Sequence, residues 1–174
     1  THKGFPKLTQ INQACSLYSI SRLYGQGHGD KQGTEAQKAA FTHLKPLVNH
    51  QGFPQLLPVN QAASLHYISR LYYLGHGDKQ GSESKKAGFT HLKSLVTHKG
   101  FPKLTQIDQA LSLYIISRLY GQGHGDKQGT EAKKESFRYI SLCINNKDLF
   151  KELDGINQAR SYYNYARLYL SGNS

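Results

Sequence analysis

The sequence predicts an all-α protein, a superhelical stack (solenoid) of antiparallel helix pairs, and three observations predict it. The chain repeats itself every 48 residues, a period that marks stacked supersecondary units. Thr1-His2-Lys3-Gly4-Phe5-Pro6 returns as Asn49-His50-Gln51-Gly52-Phe53-Pro54 and as Thr97-His98-Lys99-Gly100-Phe101-Pro102. Arg22-Leu23-Tyr24 returns at Arg70, Arg118 and Arg167, the last displaced by one inserted residue. Apolar residues inside each unit keep the three- and four-residue steps of a helix face, and a glycine-rich run separates two such stretches. The chain thus reads as one domain, residues 1–174, with repeats 1–48, 49–96 and 97–144 and a half repeat 145–174.

Each element follows from its own residues. Thr9 is placed to cap a helix reaching Tyr24, whose buried face would carry Ala14, Leu17, Ile20, Ser21 and Tyr24. Pro58, equivalent to Gln10, suits a first helical position. Gly25-Gln26-Gly27-His28-Gly29-Asp30-Lys31-Gln32-Gly33 is too rich in glycine to continue a helix and must turn. Thr34 is then expected to cap a second helix, with Gln37 closing a capping box. Ala40, Phe41, Leu44, Leu47 and Val48 supply its apolar face, and Pro46 is expected to end or bend it early. Helices are expected near 9–24, 34–48, 57–73, 82–97, 105–121, 130–144 and 154–170. The final one would cap the third pair, with Tyr162, Tyr163, Tyr165 and Tyr169 divided between a buried and a presented side.

Composition removes several classes. No apolar run approaches the roughly 18 residues of a membrane span, and no leader of charged and then apolar residues opens the chain. A start at Thr1 with no Met anywhere suggests a processed chain or a piece of a longer one. Cys15 and Cys143 are too few for a disulfide framework or a four-thiolate zinc site. Both are expected to be reduced and unpaired, which fits a reducing compartment or export by a route without a visible signal.

Ile20-Ser21-Arg22-Leu23-Tyr24-Gly25-Gln26-Gly27-His28-Gly29, followed by Glu35-Ala36-Gln37-Lys38-Ala39, resembles the Sel1-like repeat, a TPR-like helical repeat. Asn164-Tyr165-Ala166-Arg167-Leu168-Tyr169-Leu170-Ser171-Gly172 resembles the first half of that pattern. A distant TPR-like repeat is the alternative. The resemblance implies a right-handed superhelix serving as an interaction scaffold, found in adaptor proteins of eukaryotes and bacteria, host-associated bacteria included. It also implies that the first helices line a concave surface.

Differences between repeats point to a surface. Over Thr1–Ala36 and Thr97–Ala132, 33 of 36 positions are identical. The exceptions are Asn12/Asp108, Cys15/Leu111 and Ser19/Ile115, which share one stripe of the first helix. Unit two varies on the same surface with Ala63, His66 and Tyr67, and the half unit with Arg160, Tyr163 and Asn164. An unvarying ladder of Arg22, Arg70, Arg118 and Arg167 runs beside it, flanked by Tyr18, His66, Tyr114 and Tyr163. Arginine offers a carboxylate a bidentate fork, and tyrosine offers contact area with few rotors to freeze. These residues are expected to hold a protein or peptide segment of acidic character. In the opposing reading, the stripe packs against a neighbouring helix and the arginines pair with acids of the next unit.

Other chemistries fit less well. His28-Gly29-Asp30 recurs at His76 and His124, yet each turn offers two ligands and the copies stand a unit apart, so no metal and no cofactor is expected. Every polar cluster is repeated, which argues for folding rather than for an active site, so no enzyme is expected. Lys+Arg 22 against Asp+Glu 11 gives +11 and a pI near 9.6. With an Arg/Tyr ladder, that charge leaves RNA as the alternative partner, read by stacking on arginine and aromatic planes.

Overall fold

The computed structural model describes residues 4–172, so the ends of the expected domain, residues 1–3 and 173–174, lie outside the described residues. The described chain is helical and contains no strand. Its helices are α1 (Gln10–Gly25), α2 (Gly33–Val48), α3 (Pro58–Tyr73), α4 (Gly81–Val96), α5 (Gln106–Gly121), α6 (Gly129–Asn145), the short α7 (Lys147–Phe150) and α8 (Gly155–Leu170). They pack in consecutive pairs, α1 with α2, α3 with α4 and α5 with α6, while α8 lies on α6. None is long and apolar enough to cross a membrane.

Local chemistry sets the boundaries. Thr9 and Thr105 accept hydrogen bonds from the backbone N–H of Asn12 and Asp108, and Pro58 opens α3 as expected. Three expectations need correction. Ile20, expected on the buried face of α1, is exposed. Thr34 lies inside α2, which begins at Gly33, and no side-chain cap closes it. The Gln37 oxygen instead accepts from the Tyr67 hydroxyl of α3 at 3.0 Å, so the glutamine serves inter-unit packing rather than a capping box. Nor does Pro46 shorten α2, which has the same 16 residues as α4. It falls in the exposed last turn, where its missing N–H forfeits one bond to the Thr42 carbonyl. The short α7, capped by Asn146, was not anticipated.

Small residues and serines let paired helices approach closely. Ser117 and Ser136 each donate to the other's carbonyl at 2.8 and 2.9 Å, and Ser84 donates to the Tyr72 carbonyl at 2.6 Å. At Gly88 an added Cβ would come within 3.0 Å of the Ser69 carbonyl oxygen. Around these contacts Leu44, Leu47, Ile68, Leu71, Leu92, Leu95, Ile116, Leu119 and Ile140 are fully buried.

Repeated polar motifs tie the units together. His50 accepts from the Gly52 N–H and pairs its Nε2 with Gln13 Oε1 at 3.1 Å; His98 does the same with Gly100 and Gln61. The Gly-Phe-Pro turn is thereby pinned to the first helix of the preceding unit. In the glycine-rich turns, Tyr24, Tyr72 and Tyr120 donate to Asp30, Asp78 and Asp126 at 2.8–2.9 Å. Lys45 pairs with Asp78, and Lys93 with Asp126, across successive units. That is what the repeated His-Gly-Asp aspartates do. No cluster of three His, Cys, Asp or Glu side chains able to share a metal ion occurs among the described residues.

Candidate functional site

The arginine ladder divides into two pairs, each bordering its own hollow. Arg22 near the end of α1 and Arg70 near the end of α3 border a hollow of about 440 Å³ with Tyr18, Ala63, His66, Tyr67 and Asp108. Arg118 and Arg167 border a smaller one of about 270 Å³ with Ser136 and Asn164. Among the described residues no carboxylate lies within ion-pair distance of any of the four. The ion pairs that are present use lysines, Arg138 and His66 instead. Arg22, Arg70 and Arg167 are exposed. Arg118 is half-buried, donates to the Tyr114 hydroxyl at 3.1 Å and stands 5.8 Å from that ring's centre.

The residues beside the ladder differ from rung to rung. Tyr18 is half-buried, His66 and Tyr114 are buried, and Tyr163 is exposed. His66 sits between two groups of α5, with Nδ1 at 2.8 Å from Ser112 Oγ and Nε2 at 3.3 Å from Asp108 Oδ1. Burial lowers its pKa to about 4, with Arg70 adding to the fall and Asp108 opposing it. The ring is therefore neutral near pH 7.

The variable stripe is a seam facing the preceding unit. On α5, Asp108 reaches His66 of α3, Leu111 is half-buried against the core, and Ile115 is buried. On α3, Ala63 is half-buried, and Tyr67 lies over Gly25, where any added Cβ would strike its ring. On α1 no described unit precedes, and Asn12, Cys15 and Ser19 are exposed. On α1 the stripe is thus polar or small and open, whereas on α5 Leu111 and Ile115 lie under the preceding unit and Asp108 meets that unit's His66. Tyr114 and Ile115 are core residues here and Leu111 packs against that core, contrary to the expectation that the stripe faces solvent throughout, because an interior first helix is covered by the unit before it.

Ala63, Tyr67 and Asp108 belong to both seam and hollow, since the seam opens between α1, α3 and the start of α5. Lys103, on the turn before α5, also borders the hollow and was not anticipated. Its signal was the third residue of the Phe-Pro-Lys turn, which is Lys7, Gln55 and Lys103 in successive units. With Arg22, Arg70 and Lys103 against Asp108, and His66 neutral, the hollow is net positive. No family model matches the chain, and no characterised protein or solved structure shows significant similarity to it.

Proposed function

We propose that the chain is a solenoid scaffold of the Sel1-like or TPR-like kind, with period 48, three full units and a C-terminal half unit. It binds an acidic protein or peptide segment along its first helices. The observation that carries this reading is the pair Arg22 and Arg70, two exposed guanidiniums without a carboxylate partner, bordering one hollow beside Tyr18, Tyr67 and Lys103. A structural ladder would be expected to find its acids inside the stack, and here the inter-unit acids Asp78 and Asp126 are taken by lysines. An acidic side chain entering the hollow would meet two forks, and Tyr18 and Tyr67 would flank its stem.

The reading is tested by fluorescence titration of acidic and neutral peptides and of a single-stranded RNA, with wild type and an Arg22→Ala, Arg70→Ala double variant. Preference for acidic peptides is expected, weakened in the variant by on the order of 1–3 kcal/mol for each guanidinium–carboxylate hydrogen bond removed. Tighter binding of RNA, with affinity falling by orders of magnitude between about 50 and 200 mM salt, would replace this partner class with nucleic acid.

A further inference from the structure

The arginine ladder meets solvent in two hollows built from the same positions of the repeat. Arg22, Gly25, Gln26, Tyr67 and Arg70 border the larger, between α1 and α3. Their equivalents Arg118, Gly121, Gln122, Asn164 and Arg167 border the smaller, between α5 and α8. Lys103 and Asp108 join the larger, and no carboxylate borders the smaller, so with His66 neutral each hollow holds two more cations than carboxylates. Arg167 is exposed like Arg22 and Arg70. Those two keep their exposure with α2 and α4 packed in place, so it belongs to the ladder position.

The step between the two hollows differs. Tyr73 ends α3, where glycine ends α1 and α5. Its ring is half-buried against the core around α5. Leu74 follows, 50% exposed, in the place of Gln26 and Gln122. Across this step Ile115 is buried at the position of Tyr67 and Asn164, and Arg118 donates to the Tyr114 hydroxyl. A hollow therefore lies where the first helix ends in glycine, and an aromatic and an aliphatic side chain lie where it does not.

We propose that one extended segment spans both hollows, granted that the first helices bind an acidic segment, and that it carries two acidic groups with an apolar residue midway. Arg22 and Arg70 hold one acidic group, and Arg167 with Arg118 holds the other. Tyr73 and Leu74 meet the apolar residue between them. Two steps of helix packing, at about 10 Å each, separate the hollows. An extended chain covers that span in about six residues. A single acidic cluster fills one hollow only, whereas a second cluster on a short link binds at the high effective concentration that the link sets.

The probes are two fluorescent peptides of identical composition, each with four Glu and one Leu among Ser residues. In the spaced peptide, two Glu–Glu pairs stand about six residues apart with Leu midway. In the clustered peptide the four Glu are contiguous. Both are titrated at about 150 mM salt, where long-range attraction is screened, against wild type and Arg167→Ala, with helicity and Tm recorded. The spaced peptide should bind wild type about tenfold more tightly than the clustered one, or better. Arg167→Ala should keep its helicity and Tm and bring the spaced peptide to within about twofold of the clustered one, whose own affinity stays within about twofold of its wild-type value. Exchange of the central Leu for Ser should weaken the spaced peptide by about fivefold. The proposal would be overturned by equal affinity of the two peptides for wild type, by undiminished binding of the spaced peptide to Arg167→Ala, or by indifference to the Leu exchange. Any of these would leave a single acidic site at Arg22 and Arg70 standing, whereas failure of both peptides to bind would remove that site as well.

Discussion

His66 of α3 places its Nε2 3.3 Å from Asp108 Oδ1 of α5, joining two units through one of the three positions that distinguish the first unit from the third. Because burial holds the His66 pKa at about 4, well below that of an exposed histidine, the unfolded chain takes up a proton that the folded chain refuses. Stability should therefore fall as pH drops from about 6.5 to about 4, by on the order of 1–3 kcal/mol from this residue. Burial also lowers the pKa values of His43, His91, His98 and His124, which adds to the same limb. Urea melts at pH 7 and pH 4.5 measure it. His66→Gln should show a shallower acid loss than wild type, and an unchanged one would remove His66 from the explanation.

Gly100→Ala should destabilise the fold by about 2–4 kcal/mol. A methyl there would overlap the Pro58 carbonyl, a backbone atom of the preceding first helix that cannot swing aside. Gly155→Ala is the matched control, since its added methyl meets nothing and its φ is not positive. At the first turn of α8 it should be neutral or stabilise by about 0.5–1 kcal/mol, because the unfolded chain loses freedom. Thermal melts of the two variants test the contrast. Equal effects would mean that the close approach at Gly100 carries no weight.

The helix pairs were legible because the chain states each of them several times. Wherever a position was ambiguous in one unit, another resolved it, as Pro58 did for the start of the first helix. Side-chain roles were less legible. Gln37 has capping-box spacing, yet it bonds Tyr67 from another unit, a contact that periodicity cannot reveal. That the variable positions share one stripe of the first helix is legible from their spacing, but its exposure is not. Self-comparison detects that Ser19 became Ile115; it does not say that one stands at an open side and the other beneath a neighbour. Lys103 went unnoticed because it belongs to a turn rather than to the helical ladder.

The two thiols should differ sharply in reactivity. Cys15 is exposed on α1, whereas Cys143 has no exposed surface and burial pushes its pKa up to about 11. Since the thiolate is the reactive form, a thiol reagent at pH 8 should titrate one group in the native protein and two after denaturation. Cys15→Ser should abolish the native reaction and leave one thiol on unfolding. Two rapid native equivalents would show that α6 opens easily from α5.

The four arginines should separate into binding and structural members. Arg22 and Arg70 are exposed and unpaired with acids, so replacing both with Ala should leave Tm within about 4 °C of wild type, as for surface changes of under about 0.5 kcal/mol each. Arg118 differs because its half-buried guanidinium donates to Tyr114 Oη and lies near that ring. Arg118→Ala leaves the buried tyrosine's hydroxyl without this donor and should cost about 1–2 kcal/mol. Acidic-peptide affinity should follow the opposite order, falling most in the Arg22→Ala, Arg70→Ala pair, because only those two share the larger hollow. Measuring Tm and peptide affinity on the same preparations separates the two roles. Loss of folding in the Arg22/Arg70 variant would make those arginines structural, and the first-helix hollow would lose its claim as the binding surface.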